Sequence, residues 1–389
     1  MKQWSLVGLV LGLASVCVLA ACGGDGGTGT PPPPPSDIVL VDTIPVTPNY
    51  GIHDQYTRDG LDIICAWNTG ILIYDVGNGI VGGSPANPKL VGSTTTVGGE
   101  AHNTWWFHNP NTNEKRYLFV GQEGPGSIGS SSVGDIHVLD VSDLTQPTEV
   151  ATFHRNGSGT HNFWMDEPNQ VLYAAYYNGG VVAIDVSGTL SGDISSRMID
   201  TLTFGANNTY TWGVQLYQGS LYAIDMLSGF WQLRDSSAFL SVAAGGNNQT
   251  ERFGSDLWVA NGYAYTGTWG GFPRGGVYGN ALKIWQLGVG GAPTLVDSII
   301  TPDIHTVSDV AVTDDNKLLM FSTEGGPNSG FWFYRLTDPA HPTFLGKYLV
   351  GNGIHTATFS RINGKLYAFG AKDPPEPAQF VLDVTALDQ

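Results

Sequence analysis

Internal repetition constrains this chain most, because a phrase that recurs at a fixed period must be built from one repeating structural unit. The clearest copy opens with His161-Asn162-Phe163-Trp164 and continues through an aromatic-rich run at 171–177. It then reads Val181-Val182-Ala183-Ile184-Asp185-Val186 and closes with an apolar run at 198–204. The preceding copy has His102-Asn103-Thr104-Trp105, 117–121, Ile136-His137-Val138-Leu139-Asp140-Val141 and 147–153. The first has His53-Asp54, 63–67, Ile71-Leu72-Ile73-Tyr74-Asp75-Val76 and 88–93. Later copies open at Trp212-Gly213-Val214, Ser255-Asp256-Leu257, Ser308-Asp309-Val310 and His355-Thr356-Ala357. The repeat predicts four short strands separated by Gly-, Asn- or Pro-containing turns, in a unit of about 50 residues that matches a propeller blade; the seventh copy has three of them.

The seventh copy ends after its third strand at 379–384, and a spare strand, Ile38-Val39-Leu40-Val41-Asp42-Thr43-Ile44, precedes the first copy. Pairing that strand into the last unit closes a ring and removes the open sheet edges that template aggregation. The expected fold is therefore all-β: a seven-bladed β-propeller of four-stranded blades over 38–389, closed by the N-terminal strand. A pair of β-sandwiches is the rival, and it gives no reason for a common phrase.

Composition agrees with short strands and tight turns. Charged residues are 13% of the chain, about half the usual share, while Gly and aromatics are abundant. The net charge of −17 excludes nucleic acid and anionic lipid surfaces as partners, since both require basic patches.

The first residues set the expected compartment. Lys2 precedes an apolar run at 6–19 that is too short to span a bilayer and has the layout of a cleaved secretion signal. It ends in Leu19-Ala20-Ala21-Cys22, which resembles the lipobox of bacterial lipoproteins, in which the Cys is lipidated. Residues 1–21 are then a signal peptide and 22–37 a Gly/Pro-rich tether, stiffened by five consecutive prolines. The expected location is the bacterial cell envelope, lipid-anchored. Gly23, in place of the Asp associated with inner-membrane retention, points to the outer membrane, on its periplasmic side or at the cell surface, if the cell has two membranes. With Cys22 lipidated, Cys65 has no disulfide partner, and its apolar surroundings mark it as a buried small hydrophobe.

Ile136-His137-Val138-Leu139-Asp140-Val141-Ser142-Asp143, followed by Pro147-Thr148-Glu149-Val150, resembles the LVIVD repeat of bacterial secreted and surface proteins. Weaker copies lie at 71–91, 181–186 and 331–345. The fourth copy departs furthest, with Gln232-Leu233-Arg234-Asp235. The resemblance implies a surface repeat protein; its motif specifies a blade and not an activity.

In a propeller, the connection into each innermost strand and the loop between the second and third strands emerge on one face. The first set carries His53, His102, His161 and His355, with His305 just upstream of the sixth copy. The second carries Glu123, Glu324 and Asp373, with Trp269 in the equivalent place of the fifth copy. The bland expectation is that each His or Asp hydrogen-bonds a neighbouring turn and locks its blade. The sharper one is a transition metal held by His102, His161 and His355, with carboxylates around it. Trp105, Trp106, Trp164, Trp212, Trp258, Trp269 and Trp285 offer two expectations: a sugar- or peptide-binding face, or, the default for rings at alternating strand positions, the core between blades. Two functions follow. The first is a binding or scaffold module for an envelope or extracellular protein, peptide or glycan. The alternative is an envelope metalloenzyme, an oxidase or a lyase/hydrolase acting on a small molecule.

Overall fold

A computed structural model describes residues 37–46, 51–96, 98–124, 133–204, 209–236, 239–288 and 291–389. The signal segment, Cys22 and the tether up to residue 36 lie outside the described residues.

The regular elements of the described residues are all β-strands, apart from two single 3-10 turns at Ser195–Arg197 and Thr385–Asp388. Four consecutive strands, Asp54–Arg58, Leu61–Cys65, Ile71–Asp75 and Lys89–Thr94, pair antiparallel in chain order. The same meander recurs in sheets whose first strands are Ala101–Phe107, Phe163–Asp166, Thr211–Tyr217, Phe253–Ala260, Thr306–Val312 and Thr356–Ile362. The sheets beginning at Phe253 and Thr306 are joined by one residue pair, Thr268 with Val307. A short excursion at Gly192–Asp193 pairs parallel with Thr148–Phe153 and covers that sheet's outer edge.

Burial follows position in the meander. Leu61–Cys65 and Tyr117–Gln122 are buried on both faces, because each second strand is sandwiched between neighbouring sheets. Fourth strands such as Lys89–Thr94 and Met198–Leu202 are partly exposed, hence their mixed composition. First strands neighbour one another in sequence order, and Thr356–Ile362 lies against Asp54–Arg58. Cys65 is fully buried, as its apolar run implied.

In four of the sheets an Asp ends the third strand and organises the following turn. Asp140, Asp185 and Asp383 each accept the backbone N–H two residues on, from Ser142, Ser187 and Thr385. Asp75 goes further and accepts four, from Gly77, Gly79, Val81 and Gly83, at 2.9–3.1 Å. Those bonds hold its carboxyl well below the usual range despite the opposing effect of burial.

The N-terminal strand Val39–Pro45 pairs antiparallel with Ala378–Asp383, from Val39 opposite Asp383 to Pro45 opposite Ala378. It thus supplies the fourth strand of the last sheet. First and last copies are also bonded directly. Thr356 Oγ1 donates to the His53 carbonyl at 3.0 Å, and Gln379 Nε2 donates to buried Asp62 at 3.1 Å.

Burial pushes the Asp62 carboxyl up to about 7, outweighing the bonds from Thr57 and Gln379. The folded chain therefore retains a proton that the unfolded chain has released above about pH 4. This contribution is fully present below that pH and is lost as pH rises through 7. Asp62→Asn keeps the neutral form at every pH. Its melting temperature relative to the parent should rise between pH 5 and pH 8, measured by circular dichroism; a constant difference across that range would refute the assignment.

Candidate functional site

The opening residues of the seven copies occupy two adjacent positions. The first holds His53, His102, His161 and His355, with Trp212, Ser255 and Ser308 in the remaining copies. The second holds Asp54, Asn103, Asn162, Asp256, Asp309 and Thr356, with Gly213 in the fourth copy. Bulges in the pairing of first and second strands fall at or beside these positions: at His102, at Trp212, at Ser255 and Asp256, and at Ser308 and Asp309. A bulge breaks strict alternation and re-aims a side chain, so residues adjacent in sequence can both face the centre.

The second position forms a polar belt. Asn103 donates from Nδ2 to Asp54, and its Oδ1 accepts the Phe163 N–H of the next copy at 3.1 Å. Asp256 likewise accepts the Val310 N–H at 3.2 Å, and Asp309 the Ala357 N–H at 2.7 Å. Asn162 Nδ2 reaches past the fourth copy to Asp256 at 2.9 Å. Gly213 makes that reach possible, since a Cβ there would stand 3.1 Å from Asp256 Oδ1 and 2.9 Å from Leu257. Burial pushes Asp256 and Asp309 upward, the charge of Asp256 pushes Asp309 further, and the pair retains a shared proton.

The first position behaves differently. The rings of His53 and His102 lie 3.9 Å apart between centroids, His102 and His161 4.3 Å, and His53 and His355 4.2 Å. Burial holds His53, His102 and His161 well below the usual imidazole range, and the neighbouring histidines add to the effect. These three are neutral at pH 7. Nδ1 of His53 and both ring nitrogens of His102 and His161 are buried without a hydrogen-bond partner. The locking role expected for the opening residues thus belongs to the Asp and Asn of the second position, not to these histidines.

Glu123 faces them. Its two carboxylate oxygens stand 3.9 Å from Nε2 of His53 and of His102, and it accepts the Tyr177 hydroxyl. Burial raises it to about 7 against that bond. His355 is the charged member. Burial disfavours its cation, but Glu324 at 3.0 Å and Asp373 at 3.7 Å outweigh burial and push it up to about 10.

Two donor sets have ligand atoms all within 4.8 Å of one another: His53, His102 and Glu123, and His53, His355 and Asp373. The expected set of His102, His161 and His355 is not one of them, because His53 is the common member. His305 stays outside the cluster, with its exposed ring stacked on Tyr278 at 4.1 Å. Trp269 packs against Phe253 and Phe272 instead. The remaining histidines pair locally, His154 with Asp135 and His341 with Asp297.

Two aromatic members of the site escaped the sequence argument. Trp67 stacks on His53 at 5.1 Å, and Tyr177 meets His161 edge-on at 5.1 Å. Both sit in the left-handed region, at φ 48° and 40°, a conformation that costs about 1–3 kcal/mol for a non-glycine residue. The signal was present in equivalent turns, Trp67-Asn68-Thr69-Gly70 and Tyr177-Asn178-Gly179-Gly180.

No protein-family model matches the chain, and no curated protein matches it. Among solved structures it is similar to the β-propeller domain of Cps50 (Swd1) from Myceliophteria thermophila. The TM-score is 0.59 at 10% identity, covering 90% of this chain and all of that one. At that identity the likeness carries the β-propeller fold alone.

The belt makes its own prediction. Asp309→Asn keeps an acceptor for the Ala357 N–H and removes the second carboxyl of the pair. It should be neutral or stabilising at pH 8. Asp309→Ala should lose about 1–3 kcal/mol by leaving that N–H unpaired. Equal losses for both in urea unfolding would show that the pair does not share a proton.

Proposed function

We propose that this protein is a lipid-anchored envelope β-propeller whose mouth binds a transition-metal ion through His53 and His102, with Glu123 as the third donor. What carries the proposal is the convergence of His53, His102 and Glu123, whose ligand atoms all lie within 4.8 Å of one another. Both ring nitrogens of His102 and Nδ1 of His53 are buried without a hydrogen-bond partner, and each buried polar group left unpaired costs about 1–3 kcal/mol. Neutral imidazole with one carboxylate is a donor set suited to borderline ions such as Zn²⁺, Cu²⁺ or Ni²⁺. His161 flanks His102, and the Tyr177 hydroxyl orients Glu123 from behind.

The ring is proposed to have seven four-stranded blades, closed where Val39–Pro45 pairs with Ala378–Asp383. Its support is the recurring meander and the succession of neighbouring first strands from Asp54–Arg58 round to Thr356–Ile362. The LVIVD-like phrase, the lipobox and the Gly/Pro tether support display of this ring on a bacterial envelope. As a binding module, it would offer its metal-organised face to an envelope protein, peptide or glycan.

One feature favours a second reading, an envelope metalloenzyme acting on a small molecule. Beside the other donor set, His53, His355 and Asp373, Glu123 and Tyr177 would place a carboxylate and a hydroxyl, the groups that general acid–base chemistry requires.

Chelator-washed protein titrated with Zn²⁺, Cu²⁺ and Ni²⁺ should take up one ion per chain from at least one of the three. Stability should rise by about 2.7 kcal/mol when free ion exceeds Kd a hundredfold. A His53→Ala/His102→Ala variant with an unchanged circular dichroism spectrum should lose both effects. Absence of stoichiometric uptake by the native chain would overturn the proposal. Separately, Cys22→Ala should move the chain from the membrane fraction to the soluble fraction, and unchanged fractionation would exclude the anchor.

A further inference from the structure

Beyond the polar belt, the same first strands carry a second set of rings. Side chains two apart on a strand share a face and are displaced by about 7 Å along it. Tyr56, Trp105, Trp164 and Trp258 therefore follow Asp54, Asn103, Asn162 and Asp256 on the side that faces the centre. Their rings run in a continuous arc, with centroid separations of 5.1, 5.4 and 6.2 Å and interplanar angles of 42°, 59° and 79°. Unlike Trp106 and Trp285, which are buried in the core, all four are only half-buried. They wall a cavity of about 310 Å³ with the belt as its floor.

The floor contributes Asp54, Asp256 and Asp309, and no Lys, Arg or His is among the described residues lining the cavity. Its hydrogen-bonding capacity is largely spent. Asn103, Asn162 and the three carboxylates bond one another and neighbouring N–H groups, and both ends of the Gln215 amide bond Val259. Gln55 Nε2 is the exception, buried and without a partner.

We propose that this cavity binds an organic cation of the quaternary-ammonium class. A sugar needs several free donors and acceptors, which the belt has already committed. A quaternary ammonium has no N–H to satisfy; it needs ring faces and nearby negative charge, and both are here. The site lies on the opposite side of the belt from the histidines and does not depend on their metal.

The test is a titration of the full chain with choline chloride at constant ionic strength, followed by tryptophan fluorescence and calorimetry. The controls are the neutral isostere 3,3-dimethyl-1-butanol and glucose. Choline should bind saturably, and the isostere about tenfold or more weaker. Trp164→Ala should weaken choline about tenfold while Trp164→Phe retains most of the affinity; His53→Ala/His102→Ala should leave it unchanged. Equal affinity for choline and the isostere, saturable binding of glucose alone, or no saturable binding of choline would each overturn the proposal. If Trp164→Ala unfolds, Trp164→Leu replaces it, with about a tenfold loss expected for choline and for tetramethylammonium alike. Unchanged affinity for either would overturn the proposal.

Discussion

The polar belt is the interaction on which the rest of the molecule depends. Where first strands of neighbouring sheets meet, no backbone ladder joins them, and their inward edges carry N–H groups that need acceptors. Asn103, Asp256 and Asp309 supply those acceptors to Phe163, Val310 and Ala357. Each bond reaches from one copy into the next, so the belt fixes the spacing and rotation between sheets as well as satisfying the backbone. Burial makes the belt demanding, because two carboxyl groups as close as Asp256 and Asp309 cannot both ionise in a dry interior.

The belt also divides the centre into two environments with different chemistry. On one side, bulges and strand starts turn four imidazoles toward one another; burial keeps three of them neutral, and the carboxylates beside His355 keep it charged. On the other, regular alternation resumes and presents Tyr56, Trp105, Trp164 and Trp258. A change of one residue in register separates a donor set suited to metals from a wall suited to cations. Trp67 and Tyr177 brace the first side from strained turns, and that strain is tolerated because the surrounding sheets determine the turn geometry.

The histidines at 53, 102, 161 and 355 were legible because they open their copies of the phrase. His305 and Trp269 were not, and the reason is register. His305 stands three residues before Ser308, which occupies the first position of that copy. Trp269 ends its strand packed against Phe253 and Phe272. Alignment on the following Asp or Asn identifies the position; proximity in sequence to a His does not. The tryptophans divide in the same way. Trp106, Trp212 and Trp285 are buried as expected, while Trp105, Trp164 and Trp258 follow the belt residues onto the central face.

The sequence by itself determined the repeating strand unit, the Asp that ends four of its third strands and the spare strand that pairs with the last copy. Those features are local: alternation, turn residues and a period are written in adjacent positions. It also determined which residues open each copy. Only the tertiary structure decided that the Asp and Asn of those openings bind neighbouring strands while the His next to them stay unpaired. It also decided that His53 is the shared member of the donor sets and that four rings enclose a cavity. Those outcomes depend on distances between residues about 50 or more positions apart. They depend further on bulges that redirect one side chain relative to the next, which no period in the sequence specifies.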